Sequence, residues 1–355
     1  MSAHSISRLS RNSNGFGYRK PNHGLAAKGS VLALCLWVIC FLSFLAVTLS
    51  YQVRQRLSLI KRLEERDKLH FMAEASLKRA IAVIKKEPLD GYDFLREEWS
   101  DNPLIFKDVN AEGGAFSVCY GDSGILDGEA ALITRYGLID EERKINLNSS
   151  GQDVIERLFR VGLGMDDMLA QELAAGIKDW RDKDSELSIP VGSAEDFHYR
   201  GLNYPYDAKD GDMETLDELL LVNGMTKDIF ERIKDYVTIW GSGMVNINTA
   251  PQEVLLAVGL NQSLVDKILS FRGGSDEREG GFFSGLSEVS AKLSQTGTLN
   301  DSELALLNLV AGRALTVSSS SFMVKARIRL SGRVQDQEAL SVIDKKGGVL
   351  YWREP

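Results

Sequence analysis

Residues 145–155 read Ile-Asn-Leu-Asn-Ser-Ser-Gly-Gln-Asp-Val-Ile, and residues 245–255 read Val-Asn-Ile-Asn-Thr-Ala-Pro-Gln-Glu-Val-Leu. Aligned without gaps, the two stretches match in identity or in kind, or each supplies a turn or helix-start residue. An apolar/Asn alternation closes an extended segment in both. Ser149 or Thr249 then stands where an N-cap is needed, with Gln152 or Gln252 three residues on, which predicts a capping box. Pro251 is tolerated in a first helical turn, where its missing N–H has no intrahelical partner. Each copy continues into an apolar helix, a Gly-containing turn (Gly162-Leu163-Gly164; Gly259-Leu260-Asn261) and a second helix ending near an Arg, over 174–181 and 264–272. A third hairpin is predicted over 216–237, turning at Asn223-Gly224. Residues 149–315 therefore read as an all-α insertion of short helices joined by Gly-, Asn- and Asp-rich turns.

Such pairs are of the helix-hairpin-helix (SAM-like) kind, whose turn amides often hold nucleic-acid phosphate. Charge argues against that use. The 355-residue chain carries a net charge of −8, and its first 63 residues hold nine basic and no acidic residues, leaving −17 for the rest. A phosphate reader shows a basic face, so a compact packing unit without nucleic acid is the reading here. A membrane-anchored helix-hairpin-helix DNA receptor is the alternative.

Residues 31–49 form an uncharged apolar run of 19 residues. As a helix they span about 28 Å, close to the hydrocarbon core of a bilayer. A secretory signal has a shorter apolar region, and 43–51 offers no A-x-A-like cleavage site. The reading is one transmembrane helix over 30–50. Basic residues flank it on both sides, so orientation follows from length: the N-terminus stays inside and the large C-terminal domain is translocated, because long domains cross regardless of flanking charge. No Pro or Gly interrupts 51–86, and apolar residues recur at helical spacing through Leu57, Ile60, Leu63, Leu69, Met72, Ala73, Ser76, Ala80 and Val83/Ile84. A stalk helix over 51–87 is predicted to continue the span, with Pro88 as its stop.

Strands are predicted over 115–120 and 131–138, before the insertion. After it come 322–330, 339–343 and 349–352, the last two separated by the turn Lys345-Lys346-Gly347-Gly348. The fold class is α+β: an antiparallel sheet in two parts, 88–148 and 316–355, interrupted by the helical insertion and packed on the stalk. Cys119, within the strand, reads as a small buried apolar residue.

With His70 and His198 as the only histidines beyond residue 63, and no G-x-S-x-G, H-E-x-x-H, Cys/His cluster or P-loop, no catalytic constellation can be assembled. Acidic residues crowd 179–218, among them Asp182, Asp184, Glu195 and Asp196. A hard cation such as Ca²⁺ takes six to eight oxygens, and Asp-x-Asp followed by a later acidic pair can converge on one ion. EF-hand spacing fails, and local spacing leaves a solvated loop and a metal site equally open.

Lys28-Gly29 before the span, KINLNSS, DWRDKDSE, GSAEDFHY, LDELLLVNGMT and VNINTAPQEVL, in that order, resemble the K-type minor pseudopilins of type II secretion systems. The resemblance implies a pseudopilin fold with a four-stranded sheet. It implies cleavage by a prepilin peptidase of the 1–29 leader, between Gly29 and Ser30, and an inner-membrane subunit with a periplasmic domain. It also implies I- and J-type minor pseudopilins and the major pseudopilin as partners, and bound Ca²⁺, for which Asp182, Asp184, Glu195 and Asp196 are the candidate ligands. Leu34 becomes the fifth mature residue, where other pilins carry Glu. A membrane carboxylate is costly unless the adjacent subunit's amino terminus pairs with it. A subunit with none ahead of it needs no such Glu, so the resemblance implies a filament-tip position.

Overall fold

The computed structural model describes residues 26–87, 91–126, 129–273 and 280–355. The predicted leader lies outside the described residues as far as residue 25. The chain forms two compact units, Met1–Glu64 and Glu65–Pro355.

Helix α1 (Ala26–Ile84) is continuous through span and stalk, as the absence of Gly and Pro after Gly29 requires. Its last turn tightens, with the Lys86 N–H on the Val83 carbonyl (2.9 Å) and the Glu87 N–H on that of Ile84 (3.2 Å). The predicted apolar stripe is divided in its use. In the first unit Leu57, Ile60 and Leu63 are exposed, like the span itself. In the second, Met72, Ala73, Leu77, Ala80, Val83 and Ile84 are buried against Phe116, Val118, Phe322, Val324, Ile328 and Ile343. Each large apolar side chain buried there contributes about 1.5–3 kcal/mol.

After α1 come α2 (Pro103–Phe106), β1 (Val109–Ala111), β2 (Gly114–Val118), the hairpin β3 (Tyr120–Leu126) and β4 (Glu129–Arg135), and β5 (Ile139–Asp140). The insertion holds β6 (Ile145–Asn146), α3 (Gln152–Arg157), a π-helical turn (Leu158–Gly162), α4 (Asp167–Arg181), α5 (Asp196–Arg200), α6 (Lys227–Ile233) and β7 (Val237–Thr238). It continues with β8 (Val245–Asn246), α7 (Gln252–Ala257), α8 (Gln262–Gly273), α9 (Val289–Thr296), α10 (Asp301–Ala314) and β9 (Leu315–Thr316). The chain ends in β10 (Ser321–Leu330), β11 (Gln337–Asp344) and β12 (Val349–Arg353).

The main antiparallel sheet runs β1-β2-β10-β11-β12, with β5 also on β10. Among the described residues this sheet has six strands, not four. β2 pairs with 326–330 and β5 with 322–323, so one edge of the long β10 is covered in two pieces, with the β3–β4 hairpin leaving between them. Residues 136–138, expected at the end of a strand, form the link into β5. Cys119 is buried beside this edge, its N–H on the Lys325 carbonyl.

The insertion proves to be two copies of one unit. Each opens with a repeat strand and closes by a two-residue parallel ladder: β6 with β7, and β8 with β9. These ladders make its base β rather than α. Asn148 and Asn248 do the same work. The Oδ1 of Asn148 accepts the Met213 N–H (2.9 Å) and its Nδ2 donates to the Met213 carbonyl (3.0 Å). Asn248 does so with Phe283, at 2.8 and 2.9 Å. Asn146 and Asn246 accept the N–H two residues on, each at 2.9 Å. The Arg at the end of each second helix also repeats: Arg181 donates to the Ser150 carbonyl and Arg272 to that of Ala250.

One expectation is corrected and one is extended. The capping boxes do not form: the N-caps are Gly151 and Pro251, neither with a side-chain cap. The Asn Oδ1 acceptors already turn the chain, which leaves Ser149 exposed and sends the Thr249 hydroxyl to Asp140. The third hairpin is the second half of the first copy. Its Glu218 accepts the Glu214 N–H (2.9 Å), as Glu288 accepts that of Ser284 in the second, so 284–314 is its counterpart.

Candidate metal centre

The copies diverge in one place. In both, the carbonyl just before the terminal Arg accepts a returning N–H: Trp180 from Lys209 and Asp210 (3.1 Å each), Phe271 from Gly281 (2.7 Å). The second copy returns at once, and a Cβ on Gly280 would lie 1.7 Å from the Arg272 carbonyl oxygen, so only glycine passes there. The first copy instead spends residues 182–208 on a loop rich in acid, carrying α5.

Helix α4 delivers the first of these acids. Asp166 caps it, accepting the Met168 and Leu169 N–H groups, and Ala170, Leu173, Ala174 and Ile177 anchor it in the core. Asp179 is fully buried at its end and accepts the Ser188 N–H (3.1 Å), folding the loop back. Asp182 is the C-cap residue, and Asp184 accepts the Glu186 N–H (2.9 Å) in a local turn. Glu195 immediately precedes α5. That helix is held on α4 by an aromatic cluster, with ring centroids 5.3 Å apart for Trp180–Tyr199 and 5.2 Å for Tyr199–Tyr206.

The result brings one oxygen each from Asp182, Asp184 and Glu195 within 4.8 Å of one another. Glu195 is only 6% exposed. One oxygen of Glu195 and one of Asp182 are buried without any hydrogen-bond partner. Burial first, then the charges of Asp179, Asp182, Asp210 and Asp184, push Glu195 up to about 7. Burial, with Asp184 and Asp179, also raises Asp182. Unpaired buried carboxylate oxygens facing one another are costly, and a cation among them removes that cost. The donor set is all oxygen, which suits a hard ion such as Ca²⁺ and not zinc.

Of the four residues expected to hold the ion, three converge. Asp196 does not join them: its Oδ1 accepts the Ala208 N–H (2.9 Å) and its Oδ2 pairs with Arg200 Nη2 (2.6 Å), one turn along α5. Sequence reasoning passed over Asp179 and Asp210, which add their field to Glu195; both lie in the acidic run, but only the fold distinguishes them from its solvated members. Gly29, Ser30 and Leu34 all lie in the first three turns of α1, and Leu34 is exposed.

Comparison with known proteins matches residues 136–242 to the family model described as type II secretion system (T2SS), protein K. That stretch covers β5 and the first copy with its acidic loop. The chain is 39% identical over 101 residues to the type II secretion system protein K of Aeromonas hydrophila, an alignment covering 28% of this chain and 30% of that relative. It is 27% identical over 257 residues to the protein of the same name from Pectobacterium carotovorum subsp. carotovorum, covering 71% and 72%. Among solved structures, the GspK–GspI–GspJ complex from the type 2 secretion system of enterotoxigenic Escherichia coli contains a chain with the same fold. The TM-score is 0.61 at 16% identity, over 84% of this chain and 99% of that one. Residues 136–242 thus match the type II secretion system protein K family, and the chain is similar to a protein of that name over 71% of its length.

Proposed function

We propose that this chain is a minor pseudopilin at the tip of a type II secretion pseudopilus, where it caps the filament and helps initiate its assembly for protein export. The observation that carries the reading is the divided use of α1. Its apolar N-terminal part is wholly exposed and long enough to cross a membrane, while its C-terminal part is core to an antiparallel sheet. Such a helix serves first as an inner-membrane anchor and then as a filament stalk. Prepilin peptidase would cut between Gly29 and Ser30. Leu34, with no carboxylate to satisfy, agrees with a subunit that has none ahead of it. A two-copy insertion on one sheet adds bulk that a subunit within a packed filament could not accommodate.

The solved relative is part of a complex with GspI and GspJ, which supports I- and J-type partners here, with the major pseudopilin below them. Co-expression with those two partners tests this: a defined heterotrimer on size exclusion is expected, and no association under any of the co-expression conditions would sink it. Tight duplex binding that weakens steeply with salt would favour the DNA-receptor reading instead.

Asp182, Asp184 and Glu195 are proposed to hold Ca²⁺, with Asp179 behind them. The role is structural: the ion closes the 182–208 loop on α4 by neutralising carboxylates that otherwise repel. An ion bound only by the folded state at a hundred times its Kd adds about 2.7 kcal/mol, so chelation should lower the melting temperature. Unchanged melting with and without Ca²⁺ would remove the ion from this account.

A further inference from the structure

Immediately beyond the apolar run 31–49, the chain reads Ser50-Tyr51-Gln52-Val53-Arg54-Gln55-Arg56, every residue exposed on α1. Residues three and four apart are neighbours on a helix. Around Arg54 those positions hold Ser50, Tyr51, Leu57 and Ser58; around Arg56 they hold Gln52, Val53, Leu59 and Ile60. No acid is among them, and among the described residues neither arginine has an ion-pair partner. Lys61 differs, with Glu64 three residues on, and both are engaged. The basic residues after the span are thus of two kinds, and the two nearest it have no anion supplied by their own helix.

Their height along the helix says where an anion is to be found. Arg54 and Arg56 lie about 7.5 and 10.5 Å beyond Leu49 at 1.5 Å per residue. The headgroup layer extends about 5–7.5 Å beyond the hydrocarbon on each side. Side chains on a helix lean toward its N-terminus, here back toward the span, so both guanidiniums reach down to phosphate level. Tyr51 takes the interfacial position that aromatic residues favour. The guanidinium fork matches phosphate oxygens in geometry as well as charge.

We propose that Arg54 and Arg56 form a binding collar for anionic-lipid phosphates on the leaflet beyond the span, fixing the depth of the helix before assembly. This rests on the reading of 30–50 as a membrane anchor. The test is native mass spectrometry of the full-length chain released from nanodiscs of mixed phosphatidylglycerol and phosphatidylcholine. Wild type should retain phosphatidylglycerol preferentially, Arg54→Gln/Arg56→Gln should lose about tenfold of that preference, and Lys61→Gln should keep it. Equal preference in wild type and the double variant, no preference in wild type, or an equal loss in Lys61→Gln would each overturn the collar while leaving the anchor intact. Failure of the chain to enter nanodiscs would sink the anchor reading and the collar with it.

Discussion

The two copies in the insertion use the same asparagine clamps and the same terminal arginine, yet they are fastened differently. The second copy is rooted in the sheet. Asp140 of β5 is buried, and its Oδ2 accepts from Thr249 Oγ1 (2.5 Å), Ser319 Oγ (2.7 Å) and Asn246 Nδ2 (3.2 Å). Asp93 joins the same junction, taking the Ser319 N–H (2.7 Å) and pairing with Lys345 at 2.7 Å. In the first copy the position of Thr249 is held by the exposed Ser149, and Asn146 donates only to the Trp240 carbonyl (2.8 Å). One copy is therefore bound into the Asp140 junction, and the other carries the elaborated loop with its acidic cluster. Duplicated units need not play the same part, because a unit whose polar groups are consumed by anchoring has none to spare for a ligand.

The sharpest way to break this contrast is at Asp140. Asp140→Ala strands four buried donors, the three on Oδ2 and the Glu142 N–H on Oδ1, and should cost about 2–4 kcal/mol in urea unfolding. A loss below about 1 kcal/mol would mean that the junction does not hold the second copy. The same residue has a pH signature. Burial first, then the Glu142 carboxylate, push Asp140 up to about 7 from its ordinary 3.8. The native state keeps a proton there that the unfolded chain releases above about pH 4. The stability this confers is complete below that pH and is lost as pH rises through about 7. Unfolding midpoints should fall across that window, with a shallower slope in Asp140→Asn; identical slopes would assign the dependence to other groups.

The clamps offer a comparison at matched chemistry. Asn248 is buried and Asn148 is half-buried. Asn248→Ala should cost about 2–3 kcal/mol and Asn148→Ala about 1 kcal/mol, because a stranded backbone group is penalised only to the extent that water cannot reach it. Equal losses would show that the copies are alike in dryness as well as in geometry. The smallest effect concerns the ion. Chelation should speed amide hydrogen exchange in 182–208 and at the end of α4, and leave the amides of 245–318 unchanged. A uniform change would remove the distinction between the two copies.

Much of this was legible beforehand for physical reasons. The 145–155 and 245–255 stretches announce a duplication because the Asn-x-Asn turn needs those side chains locally, whatever surrounds it. Helix α1 was legible because nothing in 31–86 can interrupt it. Illegible were the pairings made at long range. The charged segment 140–144 is almost wholly buried, with Lys144 Nζ on Glu141 at 2.6 Å and Glu142 taking the Ser242 N–H at 3.0 Å. Charge pattern alone places such a run in solvent, since the partners of Asp140 and Glu142 include groups 100 residues and more away. The third hairpin turns at Asn223-Gly224 as expected, but its counterpart was illegible: 284–314 shares a Glu-capped turn but almost no other residues, so alignment by kind could not find it.

The amino-acid sequence by itself determined the apolar span, the uninterrupted helix, the alternation of the late strands and the internal repeat, since each depends on neighbours within a few residues. Only the tertiary structure decided which acids form a cluster. Asp182, Asp184, Glu195 and Asp196 are equivalent as a list. The fold of the 182–208 loop brings oxygens of Asp182, Asp184 and Glu195 within 4.8 Å of one another, while Asp196 pairs with Arg200. An unpaired carboxylate is costly only where water is excluded, and exclusion is a property of the packed fold.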